Sequence, residues 1–328
     1  MTATQVQTAL VADALRLAVR APSLHNSQPW RWVLTDDTVE LFADPDRLVR
    51  GTDSAGREAL ISCGSVLHHF RVAMAASGWD TVVTRLPAPE NVLHLATVEF
   101  APASPITDEH IRRADAILAR HTDRLPFAAP PDAEALMHTL GAAAEHRGVR
   151  LDVLSEDLHE LLAETAHLAE TLRRYDAEYH AELDWWTAGF VADKGIPRTS
   201  LVTAAESDRV QIGRNFPVVT GAERRPDIID DRSAVLVLSS LDDSRESVLR
   251  CGEALSAVLL DATVAGLASC TLTHITETSA GREVVATLVG GEAFPQVLIR
   301  VGQAPLLAAA PPPTPRRAVE HVLRIERT

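Results

Sequence analysis

Along the chain the apolar positions change period repeatedly, and each change marks an element. Residues 4–21 put Val6, Leu10, Ala14 and Leu17 on one face at steps of three and four, which predicts an amphipathic helix. It stops at Ala21-Pro22, because a residue before proline is pushed out of the helical region. A polar loop, Ser23 to Gln28, follows. Trp30–Leu34 and Val39–Phe42 read as strands separated by a turn at Asp36-Asp37. The pattern then predicts a long helix over 55–77, a strand over Val92–Phe100, helices over Thr107–Arg120 and Asp132–Arg147, and a strand over Val149–Leu154. Both of the shorter helices open on a good capping residue.

Residues 155–187 read as one long helical stretch ending at Trp185-Trp186. From 188 to 230 regularity is lost, with Gly189, Gly195, Pro197, Gly213, Pro217, Gly221 and Pro226 spread through the segment. So long a broken segment inside a compact domain is usually functional or mobile. A strand over Ala234–Ser239, a helix over 244–266 and a buried strand over Val297–Val301 complete the pattern. The tail Ala308–Pro315 is rich in alanine and proline and is expected to be extended.

One pattern occurs twice. Arg57-Glu58, Cys63-Gly64 and Leu67 recur as Arg245-Glu246, Cys251-Gly252 and Leu255, an offset of 188 residues (57 to 245), and Gly78 falls in phase on Gly266. Leu60, Cys63, Leu67, Phe70 and Met74 match Val248, Cys251, Leu255, Val258 and Ala262 as one helix face. Any two buried helices share such a face, but a shared Cys-Gly is harder to obtain. Glycine inside a helix costs about 1 kcal/mol relative to alanine and is tolerated where another backbone must come close. The expectation is two copies of one unit, with these helices packed together near a pseudo-two-fold axis.

Composition narrows the functions. The 328 residues carry a formal net charge of −14, and Lys194 is the sole lysine. No basic face for nucleic acid is expected. No stretch approaches 18 consecutive apolar residues, so no membrane span is expected. Cys63, Cys251 and Cys270 have no C-x-x-C spacing and suit neither a disulfide framework nor a zinc site. A reducing cytoplasmic compartment fits this usage. Rossmann, P-loop, G-x-S-x-G and H-E-x-x-H signatures are absent. His68 and His69 are helix neighbours pointing in different directions, read as helix surface and core edge, and no metal site is expected.

Three segments concentrate chemistry. Ser23-Leu24-His25-Asn26-Ser27-Gln28-Pro29-Trp30 gathers donors and acceptors, which is what the edge of a flat heteroaromatic ring requires; it reads equally as a polar turn closed by proline. Arg120-His121-Thr122-Asp123-Arg124 lies at a helix end and reads as a phosphate grip or as a solvated charged loop. Pro313-Thr314-Pro315-Arg316-Arg317 presents two guanidinium groups on a stiffened chain, or is a basic surface tail.

Together these segments resemble the FMN-dependent nitroreductase family. Ser23–Trp30 is similar to its flavin-contacting S-x-x-N-x-Q-P-W loop, Arg120–Arg124 to its R-[RH]-[ST]-x-[RK] phosphate motif, and Arg316-Arg317 to its C-terminal basic pair. Gly266–Leu272 resembles its glycine-containing helix end leading to the flavin ring edge. Gly-Ile-Pro at Gly195, Gly-Arg-x-Phe-Pro at Gly213, Leu-Thr-His-Ile-Thr-Glu at Leu272 and Thr-Pro-Arg-Arg at Thr314 point to its Acg-type branch in actinobacteria.

The resemblance implies an α+β nitroreductase-type fold, duplicated so that two halves of one chain mimic the family homodimer: residues 1–106 with the flavin loop, and 107–328 with the phosphate motif, a lid segment at 185–216 and the arginine pair. It implies FMN contacted by Ser23, His25, Asn26, Gln28, Trp30, Arg120, His121, Thr122, Arg124, Thr271, Leu272, Thr273, Arg316 and Arg317. One complete site can be assembled, so one FMN per chain is expected, in a monomer or in a dimer formed through a surface other than the flavin site, with NAD(P)H as reductant and a nitroaromatic or quinone-like small molecule as acceptor. No side chain is required as acid or base. Thr273-His274 stand where many members have Glu-Gly beside flavin N5. That departure and the lid favour a second reading, a flavin-sequestering protein with little reductase activity.

Overall fold

The computed structural model describes residues 6–102, 105–187, 193–307 and 312–326; residues 4–5, Gly189 and the 308–311 part of the expected extended tail lie outside them. In chain order the elements are α1 (Thr8–Ala18), β1 (Trp30–Leu34), β2 (Thr38–Ala43), α2 (Arg57–Ala76), β3 (Trp79–Arg85), β4 (His94–Pro102), α3 (Asp108–Ala119), α4 (Ala133–Glu145), β5 (Val149–Leu154), α5 (His159–Leu172), α6 (Ala177–Thr187), α7 (Ala204–Asp208), β6 (Ala234–Ser240), α8 (Arg245–Val264), β7 (Ala268–Leu272), α9 (Ser279–Leu288), β8 (Phe294–Gly302) and β9 (Leu323–Ile325). The fold is α+β. Where one helix is expected over 155–187 there are two, because Asp176 caps the second: its carboxylate accepts from Tyr179 N at 3.0 Å.

The strands form two sheets of matching order. One runs β3-β4-β2-β1-β9 and the other β7-β8-β6-β5. Each strand of the second therefore has a counterpart in the first, and even the irregularities correspond: β2 slips against β4 between Leu41 and Phe42, and β6 against β8 between Leu238 and Ser239. The first sheet is mixed only because β9 joins β1 in parallel; the strand pairs of the second are all antiparallel, with one isolated parallel bridge from Thr122 to Ser269 of β7. Among the described residues the second sheet has no counterpart of β9.

Between the sheets α2 packs along α8, and their repeat positions meet. A Cβ on Gly64 would stand 2.9 Å from the Cα of Gly252, and the converse also holds, so neither position admits a side chain while the helices keep this distance. Ser65 Oγ donates to the Gly252 carbonyl at 2.9 Å. His68 Nδ1 lies 2.7 Å from Ser256 Oγ, its own partner at the 188-residue offset. Gly78 and Gly266 both follow their helices with φ of 82° and 75°, a backbone region glycine enters without penalty. The two helices thus cross at the residues that repeat.

This packing corrects the reading of the histidine pair. His68 and His69 are both buried, because α8 covers the face of α2 that would otherwise be surface, and both Nδ1 atoms approach Ser256 Oγ at 2.7 Å. Helix α2 has the length and a mean hydropathy of 1.2 that could cross a membrane, yet 83% of that stretch is buried inside the protein: it is the central core helix.

Candidate functional site

A cavity of about 610 Å³ opens where α2, the ends of α1 and α3, the start of the 273–277 turn and the 195–216 segment converge. Ser23, His25, Asn26, Arg120, His121, Thr122, Arg124, Thr271, Leu272, Thr273 and Arg316 all line it; Gln28, Trp30 and Arg317 do not.

The loop before β1 is built to hold side chains inward. His25, Asn26 and Gln28 have φ of 49°, 57° and 52°, in the left-handed region that glycine enters freely and other residues rarely, asparagine most often among these three. Each non-glycine residue there costs roughly 1–2 kcal/mol, so surrounding bonds must over-determine it. They do. Ser23 Oγ accepts from Gln28 N at 3.1 Å, and Ser62 Oγ of α2 accepts from Leu24 N at 3.2 Å. Asn26 Nδ2 donates to the carbonyls of Gly195 at 3.0 Å and Pro315 at 3.1 Å. Gln28 Nε2 donates to the Asp193 carbonyl at 2.7 Å, and its Oε1 accepts from Arg317 N at 2.8 Å. Two of the expected ring-contacting amides thus fasten the loop to the 193–195 segment and to the C-terminal segment. Trp30 is fully buried in the core beneath the first sheet.

Neighbouring arginines diverge. In extended backbone successive side chains point to opposite sides. Arg317 turns into the protein and donates to the Trp30 and His321 carbonyls at 2.9 and 2.8 Å, with Asp44 at 3.2 Å. Arg316 turns into the cavity. There it meets Arg120, at the C-cap of α3, and Arg20, just past α1; Arg316 Nη2 and Arg120 Nη2 both donate to the Arg20 carbonyl, at 3.2 and 3.5 Å. Among the described residues no carboxylate pairs with any of the three. Burial and then the neighbouring arginines push Arg316 down to about 9, and burial and Arg20 push Arg120 down to about 10. The Nε atoms of all three are buried without a partner. A cation cluster that is partly buried and left without a carboxylate is unfavourable. Its chemistry suits a bound anion with several acceptor oxygens, a phosphate above all. Arg20 was missed in the sequence because it stands alone at a helix end, without motif or basic neighbour.

Arg124 leaves this cluster. Its guanidinium lies over Phe216, 4.9 Å from the ring centroid, and Nη1 donates to the Ser200 carbonyl at 3.3 Å. Arg214, from the Gly-Arg-x-Phe-Pro pattern, donates to His25 Nε2 at 2.9 Å and pairs with Glu277. Thr273 Oγ1 donates to Glu277 at 2.7 Å, so this hydroxyl is already engaged. His274 beside it has both ring nitrogens buried and unpartnered in the cavity wall. Burial first, then Arg214, holds His25 and His274 well below the ordinary histidine range, and both rings are neutral.

The 195–216 segment forms one wall: Gly195, Ile196, Pro197 and Phe216 line the cavity. Gly195 has φ 83°, and a Cβ there would stand 2.6 Å from the Trp186 carbonyl, which accepts from Ile196 N at 2.7 Å. This glycine is required by a tight turn. Trp185 and Trp186 line a separate hollow with Lys194, whose ammonium sits 4.3 Å from the Trp185 ring centroid. Residues 188–192 of the expected lid lie outside the described residues.

No protein-family model matches the chain. It is 56% identical over 322 residues to acg of Mycobacterium tuberculosis (strain H37Rv), provisionally named an NAD(P)H nitroreductase, with 98% of this chain and 97% of that protein covered. Two further M. tuberculosis H37Rv proteins are similar: the uncharacterised Rv3127, 49% identical with 97% and 94% covered, and Rv3131, also provisionally named an NAD(P)H nitroreductase, 39% identical with 95% and 90% covered. Among solved structures, a nitroreductase with bound FMN from Desulfitobacterium hafniense DCB-2 superposes with a TM-score of 0.40 at 12% identity, over 61% of this chain and 92% of that one. NfnB of Mycobacterium smegmatis, in complex with NADPH, gives 0.38 at 17% identity, over 67% and 96%.

Proposed function

Since the chain belongs to the Acg-type NAD(P)H nitroreductase family, we propose that it is an FMN-dependent oxidoreductase that draws a hydride from NAD(P)H and delivers it to a small acceptor of the nitroaromatic or quinone class. The observation that carries this reading is the uncompensated Arg20, Arg120 and Arg316 cluster at one end of a cavity large enough for a flavin. Those residues would hold the FMN phosphate through charge-assisted hydrogen bonds. Ser23, His25 and Asn26 would border the ring from one side, and Thr271, Leu272 and Thr273 from the other, with His121 and Thr122 at the rim; Gln28, Trp30 and Arg317 would brace the loop from behind. When bound, FMN supplies the two-electron chemistry. The chain's own residues bind, orient and exclude water, and none is assigned as acid or base.

The site is single in this reading. At the 188-residue offset Ser65 corresponds to Glu253 and Thr273 to Arg85. Glu253 is buried and paired with Arg85 at 2.6 Å and Arg71 at 3.1 Å, so charged side chains fill the place a second cofactor would need. We place the halves at 1–106 and 107–328, with β9 crossing back, and the chain as a monomer that already buries the family's dimer surface. A flavin-storing role rests on the Thr273-His274 departure and the seating of 195–216 along the cavity, both of which a substrate-binding wall would produce equally; it is not adopted.

Stopped-flow mixing of the FMN-loaded protein with NADH or NADPH, followed by a nitroaromatic or a quinone, tests the proposal. Bleaching of the flavin band and its return with acceptor are expected. A flavin that neither nicotinamide reduces would refute it.

A further inference from the structure

Glu58, Ile61, Ser62 and Ser65 of α2 line the cavity floor at helical steps. Glu58 is the acid of this stripe, 4% exposed at the cavity surface. Arg57 Nη2 donates to its carboxyl and, at 2.9 Å, to the Thr276 carbonyl. One guanidinium nitrogen thus ties Glu58 to the turn that begins at Thr273, which borders the flavin ring in the reading above.

A second carboxyl stands against the first. Asp53, in the loop before α2, accepts from Ala59 N through Oδ2 at 2.8 Å. Its Oδ1 is buried and receives no donor, and its side chain is in hydrogen-bond contact with that of Glu58. Two carboxylates have no hydrogen to share, so this contact needs a proton on the pair. Among the described residues Asp53 has no ion pair and Glu58 has one, with Arg57. That guanidinium also serves the Gln296 carbonyl at 2.7 Å and Thr276. Burial first and then Asp53, with Glu277 adding to them, hold Glu58 well above the usual carboxylate range against the pull of Arg57. The other polar groups of the 273–277 turn are committed or neutral. Thr273 Oγ1 donates to Glu277, Glu277 pairs with Arg214 and Arg173, and His274 is uncharged.

Resting on the FMN reading, which assigns no acid, we propose that Glu58 supplies the proton that the acceptor needs together with its hydride. As a quinone takes up the hydride that NAD(P)H provided, the Glu58 O–H bond breaks and its proton passes to the quinone oxygen, giving the hydroquinone. With a nitroaromatic the same hydride and proton remove one oxygen as water and leave the nitroso product. Asp53 holds the proton until the acceptor oxygen becomes the stronger base. The Glu58 carboxylate left behind is paired with Arg57 and recovers a proton from water before the next turnover.

Rapid mixing tests this with the full-length, FMN-loaded chain, wild type against Glu58→Gln. Each is first reduced with NADH or NADPH, then reoxidised with menadione or with ferricyanide, which takes an electron and no proton. Glu58→Gln should slow reoxidation by menadione about a hundredfold or more, the scale of a positioned acid, and leave reoxidation by ferricyanide unchanged. Any pattern other than this selective loss overturns the role of Glu58. If neither nicotinamide reduces the wild type, the oxidoreductase reading itself fails and this inference with it. A second measurement needs no flavin. Infrared spectra of the ligand-free protein at neutral pH should show the C=O stretch of a protonated carboxyl, and Glu58→Gln should remove it. A wild type without such a band, or a band that the variant leaves intact, would overturn the proposal.

Discussion

Arg120 and Arg316 are charged side chains that the empty fold has no reason to keep together. Each is pressed toward neutrality by burial and by another arginine, so their value lies in what they bind. Replacing either with alanine should weaken FMN about tenfold or more while barely affecting riboflavin. The same variants should not lower the melting temperature of the ligand-free protein, because removing one cation relieves the others; a clear drop would mean that they serve the fold instead. The buried histidines make an opposite kind of demand. His25, His68, His69 and His274 are all held well below the ordinary histidine value, first by burial. Their stabilising contribution is therefore complete above about pH 6.5 and is lost as the pH falls, because the unfolded chain takes up the protons first. Each contributes up to about 1.4 kcal/mol per pH unit within that window. Glu58, held well above the ordinary carboxylate range chiefly by burial, works in the other direction. Urea midpoints of the ligand-free protein should change little between pH 7.5 and 6.5 and fall clearly by pH 5.5; a flat profile would show these rings to be protonated or solvated.

Helices α2 and α8 meet so closely that their glycines have no tolerance. Gly64→Ala or Gly252→Ala would drive a methyl group into the facing backbone, at the Leu249 or Ile61 carbonyl. The helices must separate, and overpacking of this kind costs roughly 1–3 kcal/mol and sometimes more. Thermal denaturation should show a loss of several degrees for either single variant, and no loss would mean that the pair is not in contact. This crossing was legible in the sequence because Cys-Gly recurred at one register with a later glycine in phase. The strand order was not, since pairing is non-local and β3, half-exposed on both faces, shows no hydrophobic run. Helix α9 lies between β7 and β8, whereas no helix lies between β3 and β4, so the repeat could not reveal it. The candidate site divided in the same way. Arg316 and Arg120 stood in motifs and reach the cavity together, whereas the inward or outward turn of Arg316 and Arg317 depends on the backbone path, and Arg20 acquires meaning only from what folds onto it.

Taken as one body, the chain lines the arginine-bearing cavity with residues from Arg20 to Arg316, and on the proposed duplication Glu253, Arg71 and Arg85 fill the equivalent place. Titration with FMN should therefore saturate at one equivalent per chain, and sedimentation of the complex should give a monomer; two equivalents, or a dimer that separates only as flavin is lost, would contradict the single-site reading. The C-terminal segment that completes the cavity also adds β9 to the first sheet and ties Arg317 to the Trp30 carbonyl across 287 residues of chain. Closing so long a loop is entropically expensive, so contacts of this span form late. Refolding should consequently proceed in an order that the static fold does not display. Helical signal and core burial would recover first, and high-affinity flavin capture would lag behind them, appearing only when the strand docks and brings Arg316 against Arg20. Capture of FMN would then serve as a clock for the final step of folding.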